Sequence, residues 1–133
     1  MRNADNMNEP DCILIVDNND VMRKLLSLTL KNKKVELVEA RSGREAWQKV
    51  LFKRPKIVLL DIMMPGDMDG LEVCRRIKTD PALADTKVVL VTARGQQADI
   101  EEGKRNGADI YLVKPFSPLY LIDALRELEF SPS

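Results

Sequence analysis

The chain has no histidine in its 133 residues. That absence removes a Ser-His-Asp triad, a Cys-His pair and every metal site built on imidazole. Cysteine is scarce as well. Cys12 and Cys74 have neither metal-ligand spacing nor a framework of partners, and they read as reduced thiols of a cytoplasmic protein. No run approaches the ~20 apolar residues of a membrane span, and the polar start, Met1 to Pro10, is not a signal peptide. An excess of either charge is missing too. The 21 basic and 21 acidic residues cancel, so the chain carries no electrostatic footprint for nucleic acid by itself or for a membrane surface. What remains is a 44% hydrophobic, 32% charged chain, long enough for one full core.

Lys56 to Met68 organises the rest. Ile57 to Leu60 is an unalternating apolar run, as suits a strand buried on both faces of a parallel sheet. It stops at Asp61, and Pro65-Gly66 then forces a loop. A carboxylate at the carboxyl end of a central parallel strand sits where open α/β sheets place their ligand crevice.

The other segments follow the same alternation. Residues 1–10 are expected to be a disordered N-terminal segment, and 11–130 the domain. Cys12 to Val16 is a second apolar run, ending at Asp17. Asn18, Asn19 or Asp20 can cap the helix that follows, with Asp20 favoured. Val21, Leu25 and Leu28 recur there at helical spacing, with Met22, Leu26 and Thr29 beside them, and Lys31 to Lys34 close the helix with positive charge. Val35 to Ala40 alternates and reads as a strand nearer the sheet edge, and Ser42 opens a capping box. Gly70 to Lys78 is a short amphipathic helix, and Lys87 to Val91 a buried strand ending at Thr92. Gln96 to Asn106 is a helix poor in apolar anchors, with Gly107 at its end. Ile110 to Val113 is the last strand, followed by Lys114-Pro115, and Ser117-Pro118 opens a final helix to about Leu128. Strands alternating with helices imply one α/β domain with a parallel sheet and helices on both faces.

If the order is the flavodoxin-like, doubly wound 2-1-3-4-5 of a five-stranded parallel sheet, Asp17, Asn18, Asp61, Thr92 and Lys114 converge at the strand ends. Paired carboxylates repel unless a cation lies between them, and hard oxygen ligands suit Mg²⁺. A lysine and a threonine can hold phosphoryl oxygens, and a carboxylate at the centre can act as nucleophile.

Four motifs in this order resemble the receiver domain of response regulators in two-component signalling, over nearly the full length. They are Ile-Leu-Ile-Val-Asp at 13–17, Leu-Asp-Ile-Met-Met-Pro-Gly at 60–66 with Met-Asp-Gly at 68–70, Val-Thr-Ala at 91–93, and Tyr-Leu-Val-Lys-Pro-Phe at 111–116. The resemblance implies that Asp61 accepts a phosphoryl group from a histidine kinase or histidine phosphotransfer protein, in a phosphorelay. Asp17, Asp61 and the backbone carbonyl of Met63 would bind Mg²⁺ or Mn²⁺, with Asn18 as a further ligand. Thr92, with Ala93 beside it, and Lys114 would hold the phosphoryl group, Tyr111 would switch with Thr92, and the Lys114-Pro115 bond would be cis. Met63 and Arg94 would tune hydrolysis. Phosphorylation and dephosphorylation would be self-catalysed, so the chain would not be an enzyme acting on a separate substrate. Local sequence adds a surface for a downstream protein target on the fourth helix, fifth strand and fifth helix, from Ile100 on the apolar-poor fourth helix, Tyr111, and Leu119 roughly opposite the Leu121, Leu125 and Leu128 arc. The chain would be a monomer or a phosphorylation-dependent homodimer.

Two features depart from the family pattern. Asn18 stands where a second acidic residue is usual, and Gly66-Asp67 makes the following loop one residue longer than its commonest form. The first keeps open a degenerate receiver, an interaction module that is never phosphorylated. Other rivals fit less well. A haloacid-dehalogenase-like phosphatase needs a second Asp where Met63 stands, and a flavodoxin-like cofactor module needs a phosphate cradle where Asp17 and Asp20 would repel one. With no output domain after 130, the sequence reads either as a stand-alone regulator or as an excised receiver.

Overall fold

Ile57–Leu60 is buried at every residue, and the rest of the sheet is laid on either side of it. The computed structural model describes residues 11–32 and 34–128. The expectations for residues 1–10, 33 and 129–130 therefore lie outside the described residues. The strands are β1 (Asp11–Val16), β2 (Val35–Ala40), β3 (Ile57–Leu60), β4 (Lys87–Thr92) and β5 (Ile110–Val113). The helices between and after them are α1 (Asp20–Leu30), α2 (Gly43–Lys53), α3 (Gly70–Thr79), α4 (Gln97–Arg105) and α5 (Pro118–Arg126), with a short 3-10 turn at Pro81–Leu83. All strand pairs are parallel, in the order β2-β1-β3-β4-β5. The flavodoxin-like topology expected from the motif order is the one found.

Alternation along the central strands sends side chains to two apolar clusters. Leu14, Val16, Val58, Leu60, Val88 and Leu90 join Ala46, Val50, Val73 and Ile77 of α2 and α3. Ile13, Ile15, Leu59, Val89 and Val91 join Leu26 and Leu30 of α1 with Leu121 and Leu125 of α5. β2, at the edge, is only partly buried, as its alternating sequence implies.

Local chemistry fixes the helix starts. Ser42 Oγ accepts from the Glu45 N–H at 3.1 Å, while Glu45 Oε1 reaches back to the Arg41 N–H at 2.7 Å. Ser117 Oγ caps α5 by accepting from the Tyr120 N–H at 3.1 Å. Gly107, at φ +95, takes the left-handed conformation just past α4. α4 has no side-chain cap, and Gly103 is its only buried residue among those described.

α1 departs from expectation in two respects. Val21, Leu25 and Leu28, the apolar set at helical spacing, are 77%, 50% and 60% exposed. The buried side is Arg23, Leu26 and Leu30, with Met22 packed against it. Both sets have helical spacing but lie on nearly opposite faces, about 165° apart at ~100° per residue, so periodicity gives the width of an apolar arc but not its orientation. The cap is Asn19, whose Oδ1 accepts from the Met22 N–H at 3.0 Å. Asp20 instead opens the first turn and pairs with Arg23.

Candidate functional site

Register brings the site together. Val16 lies opposite Leu60 across the β1–β3 pair, so the next residue of each strand, Asp17 and Asp61, falls side by side. Thr92 ends β4 opposite Val113 of β5, which puts Lys114 next in line. The ladder runs into the site: the Asp61 N–H donates to the Val16 carbonyl at 3.0 Å and the Lys114 N–H to the Thr92 carbonyl at 2.8 Å. The Lys114-Pro115 bond is cis. Gly70 starts α3 directly beneath Asp61, where a Cβ would stand 2.1 Å from the Asp61 carbonyl oxygen, so no larger residue fits.

Lys114 Nζ donates to Asp17 Oδ2 at 2.7 Å and to Asp61 Oδ2 at 3.3 Å. The other oxygens also accept bonds, Asp17 Oδ1 from the Asn19 N–H at 2.8 Å and Asp61 Oδ1 from the Met63 N–H at 3.1 Å. Both carboxylates are buried. Burial pushes the Asp61 carboxyl above its ordinary range, although Lys114 and the Met63 N–H pull the other way and Asp17 adds to the rise. Burial alone would lower Lys114, but its contacts with Asp17 and Asp61 outweigh that and hold the ammonium charged above the ordinary lysine value.

Two carboxylates sharing one ammonium leave a net negative charge in a partly desolvated place. The donor set is hard oxygen. Among the described residues no group of three or more acidic, cysteine or histidine side chains could hold a metal ion. Mg²⁺ is nevertheless commonly bound through only one or two carboxylates plus water, so Asp17 and Asp61 fit it.

The remaining expected residues divide. Thr92 is fully buried, and its Oγ1 accepts from the Arg94 N–H at 3.3 Å. Tyr111 donates its hydroxyl to the Arg94 carbonyl at 2.7 Å, and its ring passes Gly103, where a Cβ would meet it at 2.7 Å. The expected switch residue, Tyr111, is therefore tied to the expected tuning residue, Arg94, by one bond and to α4 by packing. Ala93, Arg94 and Asn18 are exposed, and Met63 is 54% exposed. Leu119 is 64% exposed, while Ile100 and Tyr111 are half-buried.

Sequence reasoning missed Arg23. It is buried on α1 and donates through Nη1 to the Asp17 carbonyl at 2.7 Å. The three-residue spacing of Asp20 and Arg23 was the available signal, but such pairs are common on solvated helix faces.

Comparison with known proteins bears on this arrangement. A family model described as response regulator receiver domain matches residues 13–126. The transcriptional regulatory protein ResD of Bacillus subtilis is 40% identical over 116 residues, covering 87% of this chain and 47% of that protein. The chain thus spans about half the length of the curated relatives it matches. Among solved structures, the chemotaxis protein CheY4 of Vibrio cholerae superposes with a TM-score of 0.81 at 30% identity, covering 90% of this chain and 98% of that one. The BeF3-activated DrrB receiver domain gives a TM-score of 0.77 at 28% identity, covering 90% and 97%.

Proposed function

The chain belongs to the response regulator receiver domains of two-component systems, and we propose that its Asp61 accepts a phosphoryl group from a histidine phosphodonor and signals by changing partner binding. The observation that carries this is Asp61 itself, a buried carboxylate at the end of the central strand whose Oδ2 meets an ammonium that Asp17 also holds. In the transfer, an ionised Asp61 oxygen forms a bond to phosphorus as the donor's phosphorus–nitrogen bond breaks. The bonding pair returns to the leaving imidazole, which takes a proton from solvent. The product is an acyl phosphate on Asp61.

Asp17 and Asp61 would hold Mg²⁺ or Mn²⁺, which supplies positive charge against the phosphoryl oxygens when bound. Met63 would add its backbone carbonyl. Lys114 would keep one Asp61 oxygen company and take up charge on the phosphoryl group, and Thr92 would exchange its bond from the Arg94 N–H for one to that group. The residues of this chain would promote both the transfer onto Asp61 and the later hydrolysis, in which water takes the phosphoryl group as inorganic phosphate and the Asp61 carboxylate is regenerated. The setting proposed is cytoplasmic, where Cys12 and Cys74 remain free thiols as they are here. ResD is named as a transcriptional regulatory protein. We carry no DNA contact over to this chain, in which 21 basic and 21 acidic residues balance.

Lys114 meets Asp61 Oδ2 at 3.3 Å. The same lysine lines a cavity of about 120 Å³ with Met22, Leu25 and Leu26 of α1 and Phe116 and Leu121 beyond β5. Leu25 of this lining is exposed, as are Val21 and Leu28 on the same helix. We assign this face to the phosphodonor, and Leu119 with Ile100 and Tyr111 to the downstream target. Incubation with acetyl phosphate and Mg²⁺ tests the central step by intact mass. The parent chain gains one phosphoryl group and Asp61→Asn gains none. Absence of incorporation by the parent would establish the interaction-only reading that Asn18 keeps open.

A further inference from the structure

Arg23 is the one buried cation outside the Lys114 cluster among the described residues, and the transfer as described leaves it unused. Its side chain is 7% exposed, and it donates to three acceptors on three stretches of chain. Nη1 meets the backbone carbonyl of Asp17 at 2.7 Å, Nε meets Glu39 Oε1 of β2 at 3.1 Å, and Nη2 meets Asp20 Oδ1 at the first turn of α1. Burying a guanidinium is costly unless its N–H groups are matched, and here a rigid fork is matched in three directions. Glu39 and Asp20 are 47% and 77% exposed at the side chain, so two of the three acceptors face water. The buried bond is the one to Asp17.

That bond completes the restraint of Asp17. Its N–H donates to the Ala40 carbonyl at 3.2 Å, Oδ1 accepts from the Asn19 N–H, Oδ2 from Lys114, and the carbonyl from Arg23. The three residues that follow, Asn18, Asn19 and Asp20, are all exposed. Without the Arg23 side chain the turn leaving Asp17 would rest on the bonds of exposed Asn19, to Asp17 Oδ1, from the Met22 N–H and from the Arg23 N–H, with no buried bond left on the Asp17 carbonyl. We propose that Arg23 is a positioning residue for phosphoryl transfer: it locks the backbone of Asp17, with Glu39 holding the guanidinium in place, so that the Asp17 carboxylate stays beside Asp61 where the divalent cation is needed. The inference rests on the reading of Asp17 and Asp61 as the cation-holding pair. Lysine keeps the charge but has no fork to span three acceptors.

Two measurements on the full chain test it, and neither needs phosphorylation. The first is hydrogen exchange of the Asn19 amide, which reports the bond to Asp17 Oδ1, in the metal-free protein. The second is calorimetric titration with MgCl₂. Arg23→Lys is expected to speed Asn19 exchange about tenfold while β3 and β4 amides change less than about twofold, and to weaken Mg²⁺ binding about tenfold, the low end for loss of a contact that orients a metal ligand. A staple with only a structural role would speed exchange everywhere and leave Mg²⁺ affinity alone. Glu39→Ala, altered at a half-exposed side chain, is expected to move both readings about threefold in the same direction, and it decides the matter should Arg23→Lys fail to fold. Asn19 exchange and Mg²⁺ affinity both within about twofold of the parent in the folded variant would overturn the inference. A parent chain that neither binds Mg²⁺ nor gains a phosphoryl group would instead overturn the proposed function, and Asn19 exchange would still report whether Arg23 holds Asp17.

Discussion

The two ends of the sheet treat charge differently. At the amino end Asp11 and Asp109 each meet a lysine: Lys56 faces Asp11 at 3.6 Å, and Lys78 donates to Asp109 at 3.0 Å, where the Val88 N–H also lands at 2.8 Å. At the carboxyl end two acids share one ammonium, Lys114, and the Asp17 side chain is only 3% exposed. The amino-end pairs are balanced and wetter, and such pairs stabilise little and demand little. The carboxyl-end cluster is unbalanced where screening is weak, so each interaction is larger and a further cation is favoured. One sheet thus has an end that closes the fold and an end that holds an unsatisfied charge for use.

The largest expected effect separates the two ends directly. Lys114→Met leaves two buried carboxylates without their shared cation, and it should cost about 3 kcal/mol at neutral pH without divalent metal. Lys78→Met should cost about 1 kcal/mol, since its pair is partly solvated. Urea unfolding of both variants measures the contrast, and equal costs would erase it. Mg²⁺ should restore more stability to Lys114→Met than it adds to the parent, because it binds the folded site in place of the lost charge.

Asp61 gives a smaller effect with a definite sign. Burial raises its pKa in the folded chain. A group with a raised folded pKa contributes stability below its unfolded pKa and loses that contribution as pH rises through the folded one. The ionised carboxylate therefore weakens the metal-free fold at pH 7. Asp61→Asn should raise stability there by about 1 kcal/mol, with the gain fading as pH falls through the carboxylate range. A gain unchanged at acid pH would trace to packing instead.

Asn18→Asp would sharpen the imbalance by adding a third acid. Mg²⁺ should bind several-fold tighter and the metal-free chain should lose about 0.5 kcal/mol, a small cost because position 18 is exposed. Equal Mg²⁺ affinities would mean that this side chain does not reach the bound cation. The smallest effect on the fold belongs to Met63→Asn. Met63 is 54% exposed, so stability should stay within about 0.5 kcal/mol. Loss of the phosphoryl group should quicken, because an amide can orient a water molecule and a thioether cannot. A phosphorylated lifetime equal to or longer than the parent's would count against a role for position 63.

Most of the carboxyl-end cluster was legible before the fold was known. Asp17, Asp61, Thr92 and Lys114 each follow an apolar run, and apolar runs mark buried strands whatever surrounds them. On sequence alone the cap reads as Asp20 in preference to Asn18 and Asn19, and Asn19 holds it instead, because Asn and Asp cap about equally well and only the geometry of the turn separates them. The amino-end pairs were not legible at all. Lys78 and Asp109 are 31 residues apart and meet only because α3 returns along the sheet to the start of β5.

What the sequence determined by itself was the alternation of strands and helices, the place where each strand stops, and the chemistry of the residue standing there. These are properties of short segments, set by side-chain burial and turn formation within a few residues. Tertiary structure decided the rest. It turned Val21, Leu25 and Leu28 of α1 outward, put Arg23 beneath the Asp17 carbonyl, passed the Tyr111 ring over Gly103 and seated α3 against the Asp61 carbonyl at Gly70. Helical periodicity sets an arc without setting its rotation, and a guanidinium takes whichever acceptors the packed elements bring within reach, so neither outcome is written in any one segment.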